Sequence, residues 1–79
     1  MKWDEIKNKG SDHYKTGKVE PIDLYRAAGA LRAFGLCSII KYAFRNLQDN
    51  RTSEDYMKDL NKIIHYAEFL KADLSDNKE

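Results

Sequence analysis

Cysteine occurs once in the 79 residues, at Cys37, and proline once, at Pro21. One thiol cannot close an internal disulfide, so a reducing compartment is expected. The two histidines, His13 and His65, stand far apart and no cysteine lies at ligand spacing from either, so no metal or other cofactor is expected. No apolar run approaches the roughly 20 residues of a membrane helix. The opening "MKWDEIKNKG" also lacks the apolar stretch of a signal peptide. Together these give an expectation of a cytoplasmic protein with no membrane contact. Charge of one sign is not in excess: 14 Lys/Arg stand against 13 Asp/Glu, a formal +1. A balance this even supplies no field for steering onto nucleic acid, which disfavours a nucleic-acid partner. The four glycines do not form a phosphate-cradling loop.

What the chain does have is 42% hydrophobic and 34% charged residues, the composition of a globular domain. Its length allows one core and not two, and a core small enough that a homo-oligomer is expected to complete it. Residues 1–51 hold ten Lys/Arg and six Asp/Glu, a balance of +4, while residues 52–79 hold four and seven, a balance of −3, summing to the net +1. Such an asymmetry fits a head-to-tail dimer or a basic site in the first half, and the second is the expectation.

Periodicity predicts an all-α fold of three helices: a leader over 1–19, a three-helix domain over 20–74 and a frayed tail over 75–79. In the leader, "WDEIK" can make one helical turn whose Trp3 and Ile6, three apart, dock an apolar edge on the core. "EPID" starts the first helix, with proline at a position whose N–H has no partner to lose, and Gly29 to Gly35 brackets its end. Leu36, Ile39, Ile40, Ala43, Phe44 and Leu47 predict a second helix with that stripe inward. After "QDNR", Thr52 or Ser53 caps a third helix. Its stripe of Tyr56, Leu60, Ile63, Ala67, Leu70 and Leu74 is expected to face the core.

The faces opposite those stripes hold the candidate chemistry. Ser38, Lys41, Tyr42 and Arg45 return to one side of the second helix. Arginine forks onto two oxygens of a phosphate, lysine supplies a point charge, and tyrosine gives a base a flat surface and a hydroxyl. A solvated charged face is the competing account of the same residues. His13, Tyr14 and Lys15 repeat that chemistry on a loop, where binding residues concentrate. Glu20 with Asp23 and Asp55 with Asp59 are carboxylate pairs, but the second helix adds no acid to complete a metal cage. Cys37 reads as a small buried hydrophobe and His65 as a surface or interface residue. Phe69 and Tyr66, off the third helix's stripe, suggest a subunit contact.

The segments "DHY", "EPID", "IIKYAFR" and "DLNKIIHY" resemble a small bacteriophage family of unknown function, some of whose larger members are described as phage nucleotide kinases. The resemblance runs from about Ser11 to Leu70. It rests on His13 and Tyr14, on Glu20 to Asp23, on Ile40 to Tyr42 with Arg45, and on Asp59, Leu60, Lys62 and Tyr66. Ser38 stands where asparagine is usual, and Cys37 where glycine is common. The resemblance implies a ligand site drawn from His13, Tyr14, Lys15, Ser38, Lys41, Tyr42, Arg45, Asp59, Lys62 and Tyr66, with the leader folding over it. The expected function is capture of a phosphorylated nucleotide, for instance a host defence signal, without chemistry. Phosphoryl transfer to nucleoside monophosphates is the enzymatic alternative. A protein-binding inhibitor of a host enzyme, anchored by Trp3, Tyr66 and Phe69, is the third reading.

Overall fold

The structure, a computed structural model, describes residues 3–8 and 19–76. The described residues form four helices and no strand: α1 (Trp3–Asn8), α2 (Pro21–Ala27), α3 (Leu31–Asn46) and α4 (Ser53–Asp76). The expected all-α fold is observed, with one helix more than the three anticipated, because the "WDEIKN" turn is a helix in its own right. α3 and α4 pack along each other as a hairpin; α1 lies against α4, and α2 against α3.

Each boundary has a local cause. Asp23 accepts the N–H of Glu20 at 2.8 Å and holds the start of α2, where Pro21 takes the first helical position. α2 stops because Gly29 adopts φ +74°, which only glycine reaches without strain. The N–H groups of Ala30 and Gly29 then return to the carbonyls of Tyr25 and Arg26, a Schellman closure. Thr52 caps α4 by accepting the Asp55 N–H at 3.1 Å.

α3 begins at Leu31, five residues ahead of the expected Leu36, so Gly35 lies inside a helix instead of ending one. Packing is the reason. A Cβ added to Gly35 would stand 2.9 Å from Leu70 Cδ2, so the bare backbone is what lets α4 come close.

The core overturns the stripe expected of α3 and keeps part of that expected of α4, where Tyr56, Ile63, Ala67 and Leu70 are half-buried and Leu70 packs against the core. Its buried members are Trp3, Ile6, Leu31, Phe69 and Ala72, with Ile22, Tyr66 and Leu70 packed against them. α3 buries Leu31, Gly35 and Ser38, while Leu36, Ile40, Phe44 and Leu47 are exposed. α4 buries Asp59, Phe69 and Ala72, while Leu60 and Leu74 are exposed. Cys37, expected inside, is also exposed. Phe69, expected at a subunit contact, is instead at the centre of the core, with the Trp3 ring tilted against it at 4.8 Å. Periodicity identifies a helix's apolar side, but the place where α1 lands decides which side of α4 is inside. Trp3 and Ile6 land on the Phe69–Ala72 side.

Polar ties fasten the two short helices. Asp23 receives the Trp3 indole N–H at 2.7 Å and the Lys7 ammonium at 2.7 Å, joining α1 to α2. Burial alone would raise the Asp23 carboxyl. The hydrogen bonds from Lys7, the Glu20 N–H and Trp3 outweigh it and hold the carboxyl below its ordinary value. Arg26 reaches Asp73 at 2.8 Å and Asp76 at 3.0 Å, joining α2 to α4, and lies 4.3 Å over the Trp3 ring.

Candidate functional site

Where α1, α2, α3 and α4 converge, an open cavity of about 250 Å³ remains. Tyr25 and Ile22 of α2, Phe34 of α3 and Tyr66 and Phe69 of α4 supply its apolar walls. Lys7, Glu20, Lys62 and His65 supply its polar rim. Its size lies just under the roughly 300–1,000 Å³ of common small-molecule sites, and its lining of aromatics with a few polar groups is their usual chemistry.

The aromatic side chains continue beyond the cavity as a row. Tyr25 and Phe34 have centroids 4.4 Å apart, Phe34 meets Tyr66 edge-on at 5.6 Å, and Tyr66 stacks on Tyr42 at 6.1 Å and 20°. Two cations finish the row: Lys41 Nζ lies 4.7 Å from the Tyr42 ring and the Arg45 guanidinium 5.3 Å. Helical spacing places Arg45, three residues on, over the ring at position 42.

Ser38 is buried and lies near the Tyr66 hydroxyl. Burial pushes the Tyr66 phenol up from its ordinary value; the neighbouring Tyr42 adds to this and the nearby Ser38 hydroxyl partly opposes it. The hydroxyl therefore stays protonated across the physiological range. Lys62 is exposed at the cavity rim and makes no ion pair among the described residues. The Lys7 ammonium, by contrast, is held by Asp23 at 2.7 Å and faces Glu20 at 3.8 Å.

The expected site residues thus separate into groups. Lys62 and Tyr66 line the cavity, Tyr42 joins them through its stack on Tyr66, and Lys41 and Arg45 flank Tyr42. Ser38 lies behind the row as a buried support for Tyr66. Asp59 is elsewhere: it is buried and ion-paired to Arg51, whose guanidinium also donates to the Arg45 carbonyl at 2.8 Å. That pair fastens the α3–α4 loop, which accounts for a carboxylate on the inner face of α4. His13, Tyr14 and Lys15, and the expected fold of the leader over the site, lie outside the described residues.

Sequence reasoning missed Tyr25, Phe34 and His65. Tyr25 was read only as part of the first helix, and Phe34 fell in the stretch before Gly35 where that helix was expected to end. His65 was assigned to the surface, yet its ring meets Phe69 edge-on at 4.6 Å. Its position four residues before Phe69 was the available signal. Glu20 and Asp23 share a helix face as expected, and their work is capping and pairing with Lys7. Among the described residues, no three His, Cys, Asp or Glu side chains gather at a point that would hold a metal ion. No described helix is long and apolar enough to cross a membrane.

Neither the curated proteins nor the solved structures include a match to this chain. A family described as a protein of unknown function (DUF3310) matches residues 8–68, a span that takes in Tyr25, Phe34, Tyr42, Lys62 and Tyr66, and the chain belongs to that family.

Proposed function

We propose that this chain binds a phosphorylated nucleotide, with the base stacked on the aromatic row and the phosphate held by Lys62 or by the Lys41–Arg45 pair. One observation carries the reading. A row of four aromatic rings runs from a cavity to Lys41 and Arg45, cations that make no ion pair among the described residues. Stacking a base on an aromatic side chain contributes about 1–3 kcal/mol. A charge-assisted contact to phosphate is roughly twice as strong as a neutral hydrogen bond. A neutral or fatty ligand would use the rings and leave the cations idle.

The resemblance to a phage family extends the reading to a phage-encoded protein that sequesters a nucleotide, such as a defence signal, in the host cytoplasm. The kinase description of larger members of that family supports the enzymatic alternative. The inhibitor reading loses two anchors, since Trp3 and Phe69 are buried.

The test is a thermal-shift screen against mono-, di- and triphosphates of the common nucleosides. A ligand at 100 times its Kd adds about 2.7 kcal/mol of stability, a rise of many degrees for a domain of this size. Lys62→Ala and Arg45→Ala should reduce the shift at least tenfold in apparent affinity with helical circular dichroism unchanged. If no nucleotide moves the melting temperature, the reading is wrong. Incubation of a monophosphate with a triphosphate donor then separates capture from transfer, because only transfer yields diphosphate.

A further inference from the structure

The outward side of α3 has the composition of a helix interior. Ala33, Leu36, Cys37, Ile40, Ala43, Phe44 and the capping Leu47 are all exposed, and none carries a charge. Leu36 is 41% exposed, Ile40 67%, Phe44 64% and Leu47 80%. Their spacing is that of two heptads: 33, 40 and 47 fall seven apart, as do 36 with 43 and 37 with 44. An ordinary surface helix turns charged and polar residues outward. A stripe repeating at seven is the pattern that receives another helix, knobs into holes. On α4, Leu60 and Ile64 are exposed as well and widen the apolar surface on the side turned from Phe69.

We propose that a second copy of this chain covers this surface, α3 against α3 about a two-fold axis, to form a dimer. Three observations select a second copy over other occupants. The stripe lies on a helix and repeats at seven, so its occupant is a helix with a matching stripe, and α3 is itself such a helix. A two-fold interface is self-complementary and places one patch against the same patch, so an uncharged stripe meets an uncharged stripe with no buried ion to compensate. Leu36, Ile40, Phe44 and Leu47, 41–80% exposed on one face of α3, supply a continuous apolar strip for a partner helix.

This surface is separate from the aromatic row, which occupies the side of the hairpin where α1 and α2 pack. The dimer therefore does not depend on nucleotide binding, and the two proposals fail separately. The interface first anticipated around Phe69 and Tyr66 is replaced by one on the far side of α3.

Light scattering coupled to size exclusion, from about 1 µM to about 1 mM so as to bracket micromolar affinity, should give twice the chain mass at the upper end. Ile40→Glu and Phe44→Glu each bury a charge in the interface and should return the mass to one chain, with helical circular dichroism in dilute solution unchanged because both positions are solvent-facing in the monomer. Asn61→Glu, on another side of α4, should leave the dimer intact. Cys37 gives a readout on the native chain: its alkylation rate should fall severalfold as protein concentration rises through the dimer Kd. A wild-type chain that is monomeric throughout overturns the proposal. So does a dimer that survives Ile40→Glu, an assembly of another size, or a Cys37 rate independent of concentration.

Discussion

The two sides of the α3–α4 hairpin are built by opposite rules. The side under α1 and α2 mixes aromatic rings with charge: Trp3, Phe69, Tyr66 and Phe34 lie among Asp23, Lys7, Arg26 and His65. The far side exposes Leu36, Ile40, Phe44 and Leu47 of α3. A side that a chain covers with its own short helices can carry polar ties, because each partner is supplied at fixed geometry by the same molecule. A side left for another molecule does better uncharged, since any buried ion would need a partner on the incoming surface.

The sharpest way to break that contrast is to truncate one aromatic on each side. Trp3 is buried, packs on Phe69, lies under Arg26 and donates to Asp23. Trp3→Ala should cost about 3–5 kcal/mol, a large share of the roughly 5–15 kcal/mol that holds small domains folded. In a thermal melt this is a fall on the order of 15 °C or more. Phe44→Ala removes nearly as large a side chain from the far side. In dilute solution, where the chain is single, it should change stability by no more than about 0.5 kcal/mol. Equal costs for the two variants in dilute melts would mean that the far side is covered within one chain.

A second contrast is in pH. The Asp23 carboxyl is held below its ordinary value of 3.8 by Lys7, the Glu20 N–H and Trp3, against the opposing effect of burial. A lowered carboxyl stabilises the fold above its unfolded-state value, and that contribution disappears as pH falls through the lower folded-state value. Lys7 works in the other direction. Its ammonium is raised above 10.5, chiefly by the hydrogen bond to Asp23, so its contribution is present below that value and is lost as pH rises through the raised one. Melting temperature should therefore change little on account of this pair between about pH 5 and 9 and fall below about pH 4. Asp23→Asn should lower the plateau and flatten the acid fall, as read by melts from pH 2 to 9. An unchanged acid fall in the variant would remove the α1–α2 tie from the account.

The sequence made the helical class legible, along with the proline start of α2, the Thr52 cap and the docking of Trp3 and Ile6, because each follows from local spacing or from one backbone conformation. The inward faces were not legible. α3 exposes its most apolar side, and periodicity equates apolar with buried. On α3 that equation fails, since Leu36, Ile40, Phe44 and Leu47 are exposed. Lys41, Tyr42, Lys62 and Tyr66 were found for the complementary reason: they lie off the apolar stripes, and that side of the hairpin is the one that gathers rings and cations. Phe34 escaped because the stretch before Gly35 was read as the end of a helix, and Tyr25 because nothing local pairs it with Phe34. Nothing short of a packed structure reveals that the missing Cβ of Gly35 makes room for Leu70.

Gly35 gives the smallest effect, and one whose sign is informative. Gly35→Ala at a helix interior gains about 0.8–1 kcal/mol from propensity alone. Against this, the new Cβ would stand 2.9 Å from Leu70 Cδ2, 3.2 Å from Cγ and 3.3 Å from Cδ1. Contact with Cγ as well as both methyl carbons means that rotating the end of the leucine does not clear the clash, so α3 and α4 must part by several tenths of an ångström. Overpacking of this kind costs about 1–3 kcal/mol, which outweighs the propensity gain and leaves a net loss of about 1 kcal/mol. Leu70→Ala in the same chain removes all three contacts, so the double variant should be more stable than Leu70→Ala alone, by close to the propensity gain. A denaturant-melt cycle over the four chains measures this coupling. A stabilising Gly35→Ala in the wild-type background would show that α4 yields at Leu70, and that glycine at this position is not what sets the approach of the two long helices.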